Sequence, residues 1–175
     1  MSQKRKETAV VFRQEQLAEG IYDMWIETGL AQQAKPGQFI SVYTQDKSTL
    51  LPRPISICEA DKENGRLRIV YRVAGKGTDE FSKYEAGETV SVLGTLGNGF
   101  PVENAKGKSV FLMGGGIGIP PMLQLAKELA KAIAYLLPTE NYGLFHATCE
   151  GSTNWADFTR KIFEMTGKST VVNSI

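Results

Sequence analysis

An antiparallel β-barrel followed by the opening unit of a doubly wound α/β domain is the fold class predicted by this 175-residue sequence. Three observations carry that expectation. Residues 7–102 hold six short strand-like runs, each closed by a turn signal, the spacing of a barrel or sandwich. Residues 109–113 form a continuous apolar run with no polar face, as expected of a parallel strand buried on both sides. That run leads into Gly114–Gly115–Gly116–Ile117–Gly118 and then a stripe of apolar residues at helical spacing. Strand, glycine turn, helix is how a doubly wound nucleotide-binding domain opens.

Taken in order, the strands are expected at Val10–Phe12, Ile21–Ile26, Gln38–Tyr43, Ile55–Glu59, Leu67–Val73 and Thr89–Leu93. In the fifth, Leu67, Ile69 and Tyr71 oppose Arg68, Val70 and Arg72, so one face turns inward and the other outward. Turns are expected at Pro36–Gly37, Asn64–Gly65, Ala86–Gly87 and Gly97–Asn98–Gly99, and Thr78–Tyr84 reads as a short helix within the barrel. After the glycine turn, Met122, Leu125, Ala126, Leu129, Ile133 and Leu136–Leu137 mark a helix that Pro138 ends. A last strand at Tyr142–Ala147 precedes a helix capped by Thr153 or Asn154, carrying Trp155, Phe158, Ile162 and Phe163, and stopped at Gly167. The expected divisions are 1–103 for the barrel, 104–137 for a truncated α/β unit and 138–175 for an α/β tail.

The totals limit the function. Apolar residues are 42% and charged residues 22%, ordinary for a globular domain, and the net charge is +1. No basic field suits nucleic acid or an anionic membrane, and no run is long and apolar enough to span a bilayer. Cys58 and Cys149 are far apart, too few for an iron–sulfur centre and most simply reduced thiols. With no apolar leader after MSQKRKETAV, the expectation is a cytoplasmic protein. His146 stands alone in an apolar strand and reads as structural. Asp23, Glu27 and the other acids form no pair suited to acid–base work.

Arg53 is the most pointed feature. In "LLPRPISI" it lies between Pro52 and Pro54, which hold the chain extended and stiff. A solvated arginine beside a core strand is one reading. The other is a rigid bracket presenting a guanidinium to an anion. "GGGIGIPP" likewise has two readings, a structural strand–helix turn or a phosphate cradle. It is not a full G-x-G-x-x-G, because Ile119 stands where the last glycine would be.

Five stretches in this order, "PGQFISV", "LPRPISI", "IVYRVAGKGT", "VLGTLGNGFPV" and "VFLMGGGIGIPPMLQLAKEL", resemble the ferredoxin–NADP reductase superfamily. Within it the likeness is to the family of electron-transfer subunits of bacterial NAD-dependent dihydroorotate dehydrogenases, over about residues 1–130. The resemblance implies an FAD-binding barrel, a pyridine-nucleotide domain and a catalytic dihydroorotate dehydrogenase partner in pyrimidine synthesis. It places Arg53, Pro54, Ile55 and Ser56 at the flavin, with Arg53 on the pyrophosphate and the Ser56 hydroxyl donating to the ring. Val70, Tyr71 and Arg72 would border the isoalloxazine, and Gly77 and Thr78 would lie at phosphate, with a plain glycine turn as the alternative. Gly114, Gly115, Gly116 and Gly118 would face NAD. The flavin would supply the redox chemistry, so no catalytic side chain and no metal ligand is expected. The family's [2Fe–2S] cysteines are absent, so no cluster is expected.

Past about residue 130 the resemblance ends. Residues 131–175, with "YGLFHAT" and "NWADFTRKIF", resemble the C-terminal part of dTDP-4-dehydrorhamnose reductases, and the chain reads as a chimera joined within a helix. That tail brings no catalytic site of its own. The alternatives to an electron-transfer component are therefore an inactive fusion product or a fragment of a sugar-nucleotide reductase.

Overall fold

Six strands, each antiparallel to its neighbours, close on themselves in the order β1-β2-β5-β4-β3-β6. They are β1 (Arg5–Ala18), β2 (Ile21–Glu27), β3 (Phe39–Tyr43), β4 (Arg53–Asp61), β5 (Arg66–Arg72) and β6 (Thr89–Leu96). Two helices follow the strands' frame: α1 (Lys76–Phe81) between β5 and β6, and α2 (Pro120–Leu136) after the barrel. This computed structural model describes residues 5–46, 48–105, 110 and 112–136.

All six expected strands are present, and Gly37, Gly65, Gly87, Gly97 and Gly99 adopt positive φ at the expected turns. The alternation read in the fifth strand holds except at Val70: Leu67, Ile69 and Tyr71 join the core and Arg72 is exposed, but Val70, expected outward, is buried as well. Inward residues of the other strands, Val11, Met24, Ile26, Ile40, Val42 and Ile57, are almost wholly buried with them. Phe81 of α1 is also fully buried in this core, so the helix closes one end of the barrel. Tyr71 packs edge-on against Phe81, lies parallel to Tyr22 at 5.9 Å, and donates its hydroxyl hydrogen to Gln14 Oε1 at 2.7 Å.

One expectation needs correction. β1 is 14 residues long, because bulges at Val11/Arg13 and Gln16/Ala18 let one strand bend around the barrel and pair with both β2 and β6. Of the apolar segment at 109–113, Val110, Leu112 and Met113 are described and carry no regular structure, while the rest of the expected strand lies outside the described residues. A parallel strand needs a partner edge, and a closed barrel offers none.

The helical stripe after the glycine turn is confirmed as α2. It packs on the outer face of the barrel against β4, with Leu125 and Leu129 buried. A shift in the β4–β5 register between Ile57 and Glu59 interrupts the ladder there. The Ala60 amide, just beyond it, donates to Gln124 Oε1 of α2 at 2.8 Å. Glu59 pairs with Lys127 of α2 and with Arg68 at 3.7 Å. The expected elements after residue 137, with His146, Cys149 and Trp155, lie outside the described residues. No described helix is long and apolar enough to cross a membrane.

Candidate functional site

The β4–β5 ladder runs from Asp61↔Arg66 only as far as Ile57↔Ile69. Beyond that point Arg53–Ser56 pair with β3, and Val70–Arg72 pair with β2. The two strands therefore part where the predicted residues begin, and the facing backbone groups have no ladder partner there. Pro54 and Ser56 are exposed on the outer side of one lip. On the other lip Arg72 is exposed, and Val70 follows the outward parity although it is 8% exposed. Ile55 and Tyr71 turn into the core instead, so only their backbones reach the gap.

Arg53 follows the inward parity of Ile55 and Ile57 but sits at the barrel end, half-buried. Its Nη1 donates to the carbonyl oxygen of Leu51. The guanidinium lies against Gly77: a Cβ there would stand 2.8 Å from Arg53 Nε and 3.0 Å from Cζ. A Cβ at 77 would make the flexible end of the Arg53 side chain shift, a physical reason for Gly77 beyond the helix start. Thr78 closes the same turn, accepting from Ala74 N at 2.8 Å and donating to the Gly75 carbonyl at 3.0 Å.

An open groove of about 480 Å³ runs beside Arg53, lined also by Ser48, Thr49, Leu50, Leu51 and Lys76. Among the described residues neither Arg53 nor Lys76 has an ion-pair partner. Two unpaired cations beside exposed leucines (Leu50 85%, Leu51 74%) suit an anion attached to an apolar body. Sequence reasoning missed Lys76, although its place between Gly75 and Gly77 was a signal. It also missed Leu50 and Leu51, to which it gave no site role.

The groove wall is ordered locally. Asp46 accepts from the Ser48 amide and hydroxyl, each at 2.8 Å, and the amide bond above all lowers its carboxyl below the usual range. Burial pushes the Tyr71 hydroxyl well above its usual range, which keeps it a neutral donor. Asp23 is fully buried and holds Arg68 through two bonds of 2.9 and 2.8 Å. That pair braces β2 against β5. No cluster of three or more metal-ligating acids, cysteines or histidines occurs among the described residues.

The glycine turn lies against β5. Gly114 is tightly packed: a Cβ would stand 3.0 Å from the Gly118 carbonyl oxygen and 3.1 Å from Ile119 Cα. Gly116 has φ +53°, while Gly115 and Gly118 face open space. α2 begins with Pro120 and Pro121, which lack two of the four free amides of a helix start.

No family profile matches the chain. Over 128 residues it is 42% identical to the electron transfer subunit of dihydroorotate dehydrogenase B (NAD(+)) from Bacillus mycoides, covering 71% of this chain and 49% of that protein. The Enterococcus faecalis subunit is 42% identical over 129 residues, covering 73% and 49%. The chain thus spans about half the length of these curated relatives. Among solved structures, an NADH-dependent reduced ferredoxin–NADP oxidoreductase, described for flavin-based electron bifurcation, aligns with TM-score 0.64 at 32% identity. That alignment covers 71% of this chain and 44% of the other. A ferredoxin–NADP⁺ reductase from Neisseria gonorrhoeae with bound FAD and NADP shares the fold, with TM-score 0.53 at 18% identity over 70% and 50%.

Proposed function

We propose that the chain is the flavin-binding part of an electron-transfer oxidoreductase, carrying FAD for a dihydroorotate dehydrogenase catalytic partner and drawing electrons from, or giving them to, NAD. The carrying observation is the unpaired Arg53 guanidinium, braced by Gly77 and Leu51 beside the gap where β4 and β5 part. The residues fit FAD: the groove has cations for a pyrophosphate, and a Cβ at position 77 would intrude on Arg53.

In this reading Arg53 and Lys76 hold the pyrophosphate, and the turn of Gly77 and Thr78 lies beside it. Pro54, Ile55 and Ser56 on one lip and Val70, Tyr71 and Arg72 on the other hold the ring edge. Ser56 offers its hydroxyl, while Ile55 and Tyr71 offer backbone groups. The parted strands give those backbone groups a ligand in place of a ladder. When bound, FAD supplies the exchange between a two-electron nicotinamide donor and one-electron acceptors. The protein's own work is to bind, orient and shield it.

Gly114, Gly115, Gly116 and Gly118 are the proposed approach for the pyridine nucleotide. Two prolines at the helix start leave fewer amides for phosphate than a usual glycine turn does. FAD retention should therefore outlast turnover. The second reading, a flavin-holding chain without turnover, is favoured by the two prolines that open α2. The reading of residues 131–175 as a segment of different ancestry rests on its sequence motifs alone.

The visible spectrum of the purified protein, before and after added FAD, tests the assignment. Flavin bands are expected. A chain that neither carries nor takes up FAD would sink it. Arg53→Ala should weaken FAD binding roughly 10- to 100-fold, the usual worth of hydrogen bonds to a charged group. Bleaching by NADH separates the two readings.

A further inference from the structure

The two walls of the groove beside Arg53 are tied together by one carboxylate that does not line it. Glu80 lies on α1, one turn after Lys76. Its Oε1 accepts the Gln45 amide at 2.6 Å and the Tyr84 hydroxyl at 2.6 Å; its Oε2 accepts the Asp46 amide at 3.3 Å. Gln45 and Asp46 begin the loop that supplies Ser48, Thr49, Leu50 and Leu51 to the groove. The same loop carries the Leu51 carbonyl that receives Arg53. Tyr84 is buried beside Phe81, so the carboxylate is fixed from the barrel side.

A negative charge close to an anion seat is unfavourable by Coulomb's law. Its presence needs a compensating task, and the bonds it makes supply one. We propose that Glu80 is a positioning residue for the flavin seat, holding Gln45 and Asp46 against α1 so that Ser48–Leu51, Arg53 and Lys76 present a fixed geometry to the phosphates. The inference rests on the flavin reading above.

The sign of one substitution separates this role from plain electrostatics. Glu80→Gln removes the charge and weakens the acceptor. If charge alone mattered, FAD would bind more tightly. If position matters, it binds less tightly. FAD titrations of wild type, Glu80→Gln and Glu80→Ala, followed by flavin fluorescence, are paired with amide hydrogen exchange at Gln45 and Asp46. Glu80→Ala should raise Kd roughly tenfold, with Glu80→Gln between it and wild type, and exchange at both amides should rise. Lys76→Ala should also weaken FAD, with a shallower salt dependence and unchanged exchange at those amides. Should Glu80→Ala fail to fold, Glu80→Gln decides alone.

Equal or tighter FAD binding by Glu80→Gln overturns the inference and leaves the flavin reading intact. So does weakened binding without faster exchange at Gln45 and Asp46, or faster exchange without weakened binding. Wild-type protein that takes no FAD overturns both.

Discussion

At the scale of single residues, contact and conformational preference can be set against each other at position 77. Alanine there gains helix propensity, worth up to about 1 kcal/mol over glycine. Yet its Cβ would press on Arg53 Nε. Gly77→Ala should therefore keep or slightly raise the melting temperature while weakening FAD roughly tenfold, the scale of losing one charge-assisted bond. A variant that binds FAD as wild type does would show that the guanidinium can move aside without cost. Asp23 makes the opposite case, a residue for stability alone. Arg68→Ala would leave its buried carboxylate only the longer contact to Arg13 at 3.9 Å and should cost about 3 kcal/mol in denaturant unfolding. Asp23→Ala should cost less, because Arg68 is partly exposed and keeps Glu59. Arg53 was legible because two flanking prolines announce a backbone constraint in the sequence itself. Glu80 and Asp23 were not: their meaning lies in partners 35 and 45 residues away, and nothing local distinguishes them from solvated acids.

Among the elements, α2 seals a stretch of barrel wall that would otherwise meet water. Cys58 lies there, buried at the register shift of β4, and burial pushes its thiol up to about 11. The sign follows directly. The folded protein favours the neutral thiol, so this contribution is complete below about pH 9 and is lost as pH rises towards 11. Alkaline melting should be steeper for the parent than for Cys58→Ala. In a Cys149→Ser background, a thiol reagent at pH 8 should react with Cys58 at least tenfold slower than in denaturant. Leu125→Ala with Leu129→Ala should restore reactivity, because each leucine removed loosens the seal by about 2 kcal/mol. Fast reaction in the parent would mean that the helix does not shield β4. The helix was legible from its apolar stripe, and strands such as β5 from their alternation. The full length of β1 was not, since Arg13–Gln16 is polar on both faces. At 109–113 apolar continuity reports burial, while strand structure also requires a neighbour, and the described Val110, Leu112 and Met113 carry no regular structure.

For the whole molecule, closure makes the six strands one cooperative unit. Native-state hydrogen exchange should show amides of β1, β2, β5 and β6 exchanging with a common, highest free energy, while the glycine turn at 114–118 exchanges fastest. Separate protection of β1 and β6 would mean that the seam between them opens first. The barrel was legible as a class because its turns fall at regular glycines. Its strand order was not, because pairing of the first strand with the last leaves no mark in either. The parting of β4 and β5, on which the proposed cofactor seat depends, is likewise a tertiary outcome of β4 turning to β3 and β5 to β2.

That seam also sets an order of events during synthesis. Arg5 meets Gly94, so β1 waits as an open edge until almost the entire barrel has left the ribosome. The proposed seat, built from residues between Ser48 and Thr78, is translated earlier, but its walls cannot stiffen until β6 arrives beside β3 and β1. Cofactor loading must therefore follow translation of β6, and a nascent chain stalled before residue 89 should present β1 to chaperones rather than FAD to a partner.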